Sequence, residues 1–355
     1  MTTVEEANYA LSKILDTGSQ KNLIELGWIK NVRVPIPRSI ITLALPSYAN
    51  SQRDRIVQEI RKTLLNFSDI EDVQIELENN PEQASANAEN NQPQLQKVNG
   101  IKQIIAVSSG KGGVGKSTIA VNIACSLSKL GLKTGLLDAD IYGPNTPSML
   151  GVSEESPKVF GSGNEQRLIP ISKYGISIVS MGFLIEEGQP VIWRGPMLNS
   201  IIRQFLYQVE WKDLDFLIID LPPGTGDAQI SLAQSVPISG AIIVTTPQKV
   251  SLQDSRRGLA MFKQLGVPLI GVVENMSIFI PPDQPDKSYK IFGSGGGKLL
   301  ADENNLPLLA QIPIEMPVVT ESNQGLPISI SDPNANSAIK FQELASLIQT
   351  KFIDT

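Results

Sequence analysis

Gly110-Lys111-Gly112-Gly113-Val114-Gly115-Lys116-Ser117-Thr118 is the most informative segment of this 355-residue chain. It fits the spacing G-x-x-x-x-G-K-[ST], follows the apolar run 104–107 and precedes a helical pattern. Glycines in such a turn let backbone N–H groups converge on phosphate oxygens, and the helix N-terminus adds a partial positive charge. The pattern predicts a phosphate-binding loop in which Lys116 reaches the β- and γ-phosphates and the Ser117 hydroxyl binds Mg²⁺.

Strand and helix patterns alternate from residue 100 onward. Short, nearly all-apolar runs are typical of strands buried on both faces of a parallel sheet. Such runs occupy 104–107, 134–137, 176–179, 216–219, 241–244 and 269–273, and helical patterns occupy 117–130, 197–209, 251–265 and about 336–352. The alternation predicts an α/β fold with a doubly wound, mostly parallel sheet over residues 100–355.

Carboxylates stand at the carboxyl ends of two of these strands, where doubly wound folds gather their catalytic groups. Asp138 and Asp140 follow the strand 134–137, and Asp220 follows 216–219. Asp220, after four apolar residues, has the Walker B form and is expected to hold Mg²⁺. Asp227, in the Gly-rich segment that follows, is open to two interpretations: the N-cap of the next helix or part of a nucleotide-sensitive switch.

The N-terminal part has a different character. Residues 1–78 combine helical patterns at 5–15 and 53–67 with strand patterns at 40–45 and 73–77, which predicts a small α+β domain. Asn and Gln make up ten of the 21 residues from 79 to 99, so we expect a flexible linker there.

Composition narrows the possible chemistry. The chain has one cysteine, Cys125, and no histidine, which excludes an internal disulfide, a Cys/His zinc site and a Ser-His-Asp triad. The formal net charge of −6 argues against a surface that coats nucleic acid. An acidic N-terminus and the lack of a long apolar run favour a cytoplasmic protein without a membrane span.

The loop at 110–118 carries a second lysine, Lys111, directly after its first glycine. With that lysine it resembles the deviant Walker A loop of MinD, ParA, the nitrogenase iron protein and Mrp ATPases. The resemblance implies a homodimer in which Lys111 reaches the partner's nucleotide and stabilises charge on the transferred phosphoryl group. It also implies that Asp140 orients the attacking water, that Asp138 supports that water or the metal, and that turnover of ATP is slow.

Four further segments narrow the resemblance to the Mrp (ApbC) branch, the iron–sulfur cluster carriers, over residue 100 to the C-terminus. They are 138–145, 220–227, 273–277 and 291–297. The resemblance implies ATP and Mg²⁺ as cofactors, iron–sulfur assembly proteins or apo-clients as partners, and recognition of the adenine edge by Asn275. An ordinary loop asparagine is the alternative at that position.

The sequence departs from the Mrp pattern at the cluster ligands. Bacterial relatives commonly carry a C-x-x-C pair after the Glu-Asn-Met-Ser segment, and those positions here are Pro281 and Gln284. Cys125 falls two turns into the predicted helix 117–130, where a small buried core residue is expected. A [4Fe–4S] cluster is thus implied by resemblance only, with no identifiable ligand in this chain, and a partner's thiols or carboxylates would have to contribute.

Two other functions fit the loop motif. A ParA- or MinD-like switch in partitioning or positioning would work without a metal cluster, but it calls for a basic membrane-binding helix or a DNA-binding patch. The helix pattern near the C-terminus has few basic residues, and Arg256-Arg257 is the only Arg-Arg pair in the predicted ATPase domain. A module that senses ATP with negligible turnover is the third possibility.

Overall fold

The computed structural model describes residues 2–16, 21–44, 53–77, 97–161, 166–184, 195–284 and 286–353. The chain divides into two compact units, Met1–Gln94 and Leu95–Thr355. Most of the segment 79–99, which the sequence predicts to be a linker, lies outside the described residues.

The first unit is a small α+β structure. Its sheet has the order β1-β2-β3, with β1 and β2 antiparallel and β2 and β3 parallel. The elements in chain order are α1 (Val4–Leu11), β1 (Ile29–Arg33), β2 (Arg38–Leu43), α2 (Arg53–Leu64) and β3 (Asp72–Leu77). Both helices contribute buried side chains to one core with the sheet.

Helix α1 is shorter than the pattern at 5–15 predicts. It begins with a capping box, in which Thr3 and Glu6 exchange side-chain and backbone hydrogen bonds, and it ends at Leu11 with Ser12 as the C-cap. Leu15 then pairs with Asn22 in an isolated β-bridge. The apolar spacing continues past Leu11 because Ile14 still faces the core, although the backbone is no longer helical.

The second unit is built on an eight-stranded sheet of order β13-β12-β11-β4-β10-β5-β9-β8. All neighbours are parallel except β8 and β9, and a separate antiparallel hairpin pairs β6 with β7. The strands are β4 (Ile101–Ser109), β5 (Thr134–Asp138), β6 (Lys158–Phe160), β7 (Arg167–Ile169), β8 (Ile171–Lys173), β9 (Ile176–Ser180), β10 (Leu214–Asp220), β11 (Gly240–Thr245), β12 (Leu269–Glu274) and β13 (Leu308–Gln311). The mostly parallel sheet predicted from the sequence is confirmed.

Helices cover both faces of this sheet. They are α3 (Lys116–Lys129), α4 (Thr146–Met149), α5 (Gly195–Tyr207), α6 (Asp227–Ser235), α7 (Lys249–Gln264), α8 (Gly296–Glu303), α9 (Met316–Ser322), α10 (Ile328–Ser331) and α11 (Asn336–Phe352). One buried core includes residues of α5, α6, α7 and α8, and the other includes residues of α3, α10 and α11. Alternate residues of β4 enter opposite cores, as the period of two requires: Ile104 and Ala106 in the first, Ile105 and Val107 in the second.

Strand register brings the predicted polar residues to one edge of the sheet. Asp220 of β10 pairs with Asp138 of β5 on one side and with Val107 of β4 on the other. Because β4 continues directly into the glycine-rich loop, that loop and both aspartates share the carboxyl edge. Across the described ranges, none of the helices combines the length and the apolar composition of a membrane-spanning segment.

Candidate nucleotide-binding site

The glycine-rich loop joins the central strand β4 to the N-terminus of α3. Gly113 and Gly115 adopt left-handed backbone angles, with φ of 77° and 84°, which side chains disfavour. Gly115 is the N-cap of α3 and supplies no side-chain hydrogen bond. The first N–H groups of α3 are therefore left for an external acceptor, as in a phosphate site.

Lys116, the first residue of α3, is buried among carboxylates. Its Nζ lies 2.6 Å from Asp220 Oδ1 and 3.3 Å from Asp140 Oδ2. The Ser117 hydroxyl is 3.4 Å from the same nitrogen. Burial alone lowers the pKa of Lys116, but the charges of Asp220 and Asp140 outweigh it and hold that pKa above its usual value. The lysine is thus a fixed positive charge at the base of the loop.

Asp220 is fully buried at the end of β10. Burial raises the pKa of this carboxyl, and the ammonium of Lys116 opposes that effect. One oxygen accepts the hydrogen bond from Lys116, whereas the buried Oδ2 has no hydrogen-bond partner among the described residues. An unsatisfied carboxylate oxygen beside a serine hydroxyl is the donor set expected for a hard divalent cation.

Asp138 has a structural environment that sequence reasoning did not anticipate. Its Oδ2 accepts hydrogen bonds from Thr146 N and Oγ1 and from Ser180 Oγ, and its Oδ1 accepts one from Asp140 N. Burial and the nearby charge of Asp220 raise the pKa of Asp138 to about 7. The residue holds the loop after β5 in place, and its predicted support of the attacking water remains a prediction.

The Asp140 carboxylate contacts both its own turn after β5 and the lysine of the glycine-rich loop. Its Oδ1 accepts hydrogen bonds from the backbone N–H of Tyr142 and Gly143, which closes a tight turn. Its Oδ2 lies 3.3 Å from Lys116 Nζ, so the turn fixes this buried carboxylate beside the lysine. Asp227 is the first residue of α6 and Gly226 is the N-cap, so the N-cap interpretation of Asp227 is wrong. The switch interpretation remains a prediction.

A cavity of about 570 Å³ opens over the loop. Its walls include Lys111, Lys116, Ser117, Thr118 and Asp140, so the structure brings these predicted residues together. Other lining residues were not predicted. They are Tyr142, the α4 residues Ser148 and Met149, and Val318, Val319, Ser322 and Asn323 of α9 and its end. No local sequence signal marks α9, because its seven residues acquire this position only through the tertiary fold.

Asn275 lies behind the loop. Its Nδ2 donates to the Val114 carbonyl at 2.9 Å, and its own backbone N–H donates to Thr245 at the end of β11. The predicted contact with adenine is therefore not what engages this amide in the structure. Recognition of the base by Asn275 remains a prediction.

Gln229, which sequence reasoning missed, is buried at the start of α6 and donates to Ser108 Oγ just before the loop. The bond ties the helix after Asp220 to the strand that carries the glycine-rich loop. A lone Gln in an amphipathic helix gave no signal for this contact.

The positions expected for cluster ligands contain no thiol. Pro281, which is half-buried, and Gln284, which is exposed, bound a turn in which Gln284 N donates to Pro281 O. Cys125, a residue of α3, is buried in the hydrophobic core, as predicted. Burial raises the pKa of its thiol to about 12. Within the described ranges, no group of three or more Cys, His, Asp or Glu side chains is arranged to hold a metal ion.

Comparison with known proteins shows the family to which the chain belongs. A family model described as the NUBPL iron-transfer P-loop NTPase, of the ParA group, matches residues 100–349. The iron-sulfur cluster carrier protein of Synechocystis is 49% identical over 99% of this chain and 98% of its own length. The carrier protein of Escherichia coli is 39% identical over 87% of this chain and 81% of its own.

Solved structures agree on the fold. A nucleotide-binding protein from Archaeoglobus fulgidus in complex with ADP has a TM-score of 0.56 and 35% identity, covering 64% of this chain and 88% of its own. MinD of Pyrococcus furiosus, with a TM-score of 0.52 and 21% identity, covers 70% of this chain and 99% of its own and shows the fold alone. With the loop, its lysine and the aspartates in place, the chain belongs to the NUBPL-type iron-transfer P-loop NTPases.

Proposed function

We propose that this chain binds and hydrolyses ATP. The observation that carries the proposal is the buried contact of Lys116 with Asp220 and Asp140 in a glycine-rich loop that lines a cavity of about 570 Å³. A triphosphate entering the cavity would meet the Lys116 ammonium and the N-terminus of α3. Asp140, fixed by its turn, would orient the water that attacks the γ-phosphate.

Mg²⁺ is the metal that this site would hold. The unsatisfied Asp220 Oδ2 and the Ser117 hydroxyl are oxygen donors on adjacent elements, which fits a hard cation bound by few protein ligands. When bound, the ion would neutralise charge on the β- and γ-phosphates. In that arrangement Lys116 would exchange its contact with Asp220 for contacts with phosphate oxygens.

Lys111 is the second cation at the cavity. It lines the wall of the cavity, and its carbonyl accepts a hydrogen bond of 2.9 Å from Ser109 Oγ, which fixes the backbone at this residue. We propose that two copies of the chain face each other across bound nucleotides and that each Lys111 contacts the partner's nucleotide. A cation supplied in this way stabilises charge that develops during phosphoryl transfer.

The cargo is an iron–sulfur cluster, delivered to apo-client proteins. The relatives named as cluster carriers support this part of the proposal. The donor set of the chain does not supply the usual thiolates, because only the thiolate form of cysteine binds metal and the pKa of Cys125 is near 12. The thiolates that hold the cluster would then come from the assembly protein or the client.

Phosphate release tests the hydrolytic half. We expect the wild-type chain with Mg-ATP to release phosphate slowly and Lys116→Ala to lose tight ATP binding. Lys111→Ala should keep ATP binding but lose hydrolysis by roughly 10²- to 10⁴-fold, in the range of supplied cationic groups. Lys340→Ala, which removes an exposed lysine of α11, is the control and should match the wild type. Unchanged turnover in Lys111→Ala would refute the role of that lysine.

Iron and acid-labile sulfide analysis tests the cargo. After anaerobic reconstitution we expect little bound iron on the chain alone, and iron and sulfide in the complex formed with a cysteine-bearing assembly protein or apo-client. Cys125→Ser should behave as the wild type in both samples. A stoichiometric cluster on the isolated wild-type chain that disappears in Cys125→Ser would contradict the assignment of the ligands to a partner.

A further inference from the structure

Ser109 is the last residue of β4 and directly precedes the glycine-rich loop. Only 1% of the residue is exposed, and it pairs with Val244 of β11 in the parallel ladder. Its hydroxyl donates to the Lys111 carbonyl at 2.9 Å, whereas its own carbonyl accepts a hydrogen bond of 3.0 Å from the N–H of Gly224. The side chain and the backbone of Ser109 therefore hold two different loops.

Packing holds the loop on one side of Lys111 and leaves it open on the other. A Cβ on Gly110 would lie 2.2 Å from the backbone of α7, whereas a Cβ on Gly112 or Gly113 would meet nothing within 4 Å. Glycines without packing partners leave the backbone wide conformational freedom. Of the described side chains, only that of Ser109 donates a hydrogen bond to the backbone of Lys111. This bond therefore restrains the loop at the point where packing ends.

The Lys111 ammonium has no ion-pair partner among the described residues, in contrast to that of Lys116, which contacts two carboxylates. An unpaired lysine that lines a cavity is available to an anion from outside its own loop. Because the lysine side chain is flexible, the backbone from which it starts decides which phosphate oxygens its ammonium meets. A displacement of about 1 Å can lower a rate by roughly 100-fold.

We propose that Ser109 is a positioning residue for Lys111, so that it acts on the nucleotide bound by the partner protomer rather than on that of its own loop. This role rests on the proposed function, in which two copies of the chain hydrolyse ATP across their interface. Ser109→Ala leaves in place the carbonyl that binds Gly224, and it therefore removes the link to Lys111 alone.

Phosphate release and mant-ATP titration of the full chain test the positioning role. Ser109→Ala should lower kcat by about 10- to 100-fold and change the affinity for mant-ATP by less than about twofold, because Lys116 and the start of α3 are unchanged. Ser109→Thr keeps the hydroxyl and should retain at least about half of the wild-type kcat. A loss of mant-ATP affinity as large as the loss of kcat would overturn the role.

Two further variants show whether the effect passes through Lys111. Adding Lys111→Ala to Ser109→Ala should give the turnover of Lys111→Ala alone, and additive losses would contradict the proposal. Ser126→Ala is the matched control, because it removes another buried serine hydroxyl, one that lies 3.2 Å from Ser329 Oγ in α10. The control should keep the wild-type turnover.

Mixed dimers separate the two protomers of the interface. In an equimolar mixture of Ser109→Ala and Lys116→Ala, each mixed dimer has one complete site. There the Ser109→Ala protomer binds the nucleotide and its partner supplies a correctly held Lys111. Random pairing predicts recovery to about a quarter of the wild-type rate. A mixture of Ser109→Ala and Lys111→Ala has no complete site and should stay at about half the rate of Ser109→Ala alone.

The reverse pattern would overturn the proposal. If Ser109 served the nucleotide of its own loop, the mixture with Lys111→Ala would recover and the mixture with Lys116→Ala would not. The mixture of Lys111→Ala and Lys116→Ala is the reference. No recovery in that reference would contradict the proposed function, whereas recovery in the reference alone would contradict only the role of Ser109. If thermal melts show that Ser109→Ala does not fold, Ser109→Cys takes its place, because a thiol fills the same space and is a weak donor.

Discussion

Cys125 shows how burial decides the chemistry of a single residue. Its thiol is enclosed in the core between α3 and the sheet, and with a pKa of about 12 only roughly one thiol in ten thousand is ionised at pH 8. We therefore predict that iodoacetamide at pH 8 leaves the folded chain unmodified over an hour, as measured by intact mass. The same reagent in guanidinium chloride should add one label. Rapid labelling of the native chain would show that the thiol is accessible and available as a ligand.

The residues around the glycine-rich loop could be predicted from the sequence, because motif spacing places them at the ends of predicted strands. The carboxylates of Asp140 and Asp220 do both lie within 3.3 Å of the Lys116 ammonium. The hydrogen bonds of Asn275 to Val114 and of Asp138 to Ser180 could not be predicted. Those contacts join residues 161 and 42 positions apart, and no local pattern encodes them.

Helix α7 packs closely against the glycine-rich loop at Gly110. A Cβ on Gly110 would lie 2.2 Å from the backbone of Asp254 in α7, whereas one on Gly112 would meet nothing within 4 Å. We predict that Gly110→Ala destabilises the nucleotide-free chain by about 1–3 kcal/mol, a loss of roughly 3–10 °C in melting temperature. Gly112→Ala, its matched control in the same loop, should change stability by less than about 0.5 kcal/mol. Equal melting temperatures for the two variants would contradict the tight packing of α7 on the loop.

Among the elements, the buried strands were predictable and the edge strands were not. The apolar runs at 104–107 and 216–219 lie within β4 and β10, near the middle of the sheet. The edge strands β13 and β8 are short and partly exposed, so their sequences lack the continuous apolar character that marks a central strand. Their strand structure depends on pairing with β12 and β9, which is a tertiary effect.

At the scale of the whole molecule, the proposed hydrolysis requires two copies of the chain. Lys116 acts on the nucleotide of its own loop, whereas Lys111 is proposed to act on the nucleotide of the partner. Lys116→Ala and Lys111→Ala are then each inactive for a different reason. A mixed dimer of the two variants still contains one complete site. In that site the nucleotide is bound by the Lys111→Ala protomer, which keeps Lys116, and is contacted by Lys111 of the Lys116→Ala partner. This complementation is specific to a lysine that acts between protomers.

Phosphate release by an equimolar mixture of the two variants tests that claim most directly. The variants should be mixed at concentrations where the wild type is dimeric with Mg-ATP, and each variant alone serves as the baseline. Random pairing predicts recovery of up to about a quarter of the wild-type rate, because half of the dimers are mixed and each has one complete site of two. A mixture no more active than the separate variants would contradict the account.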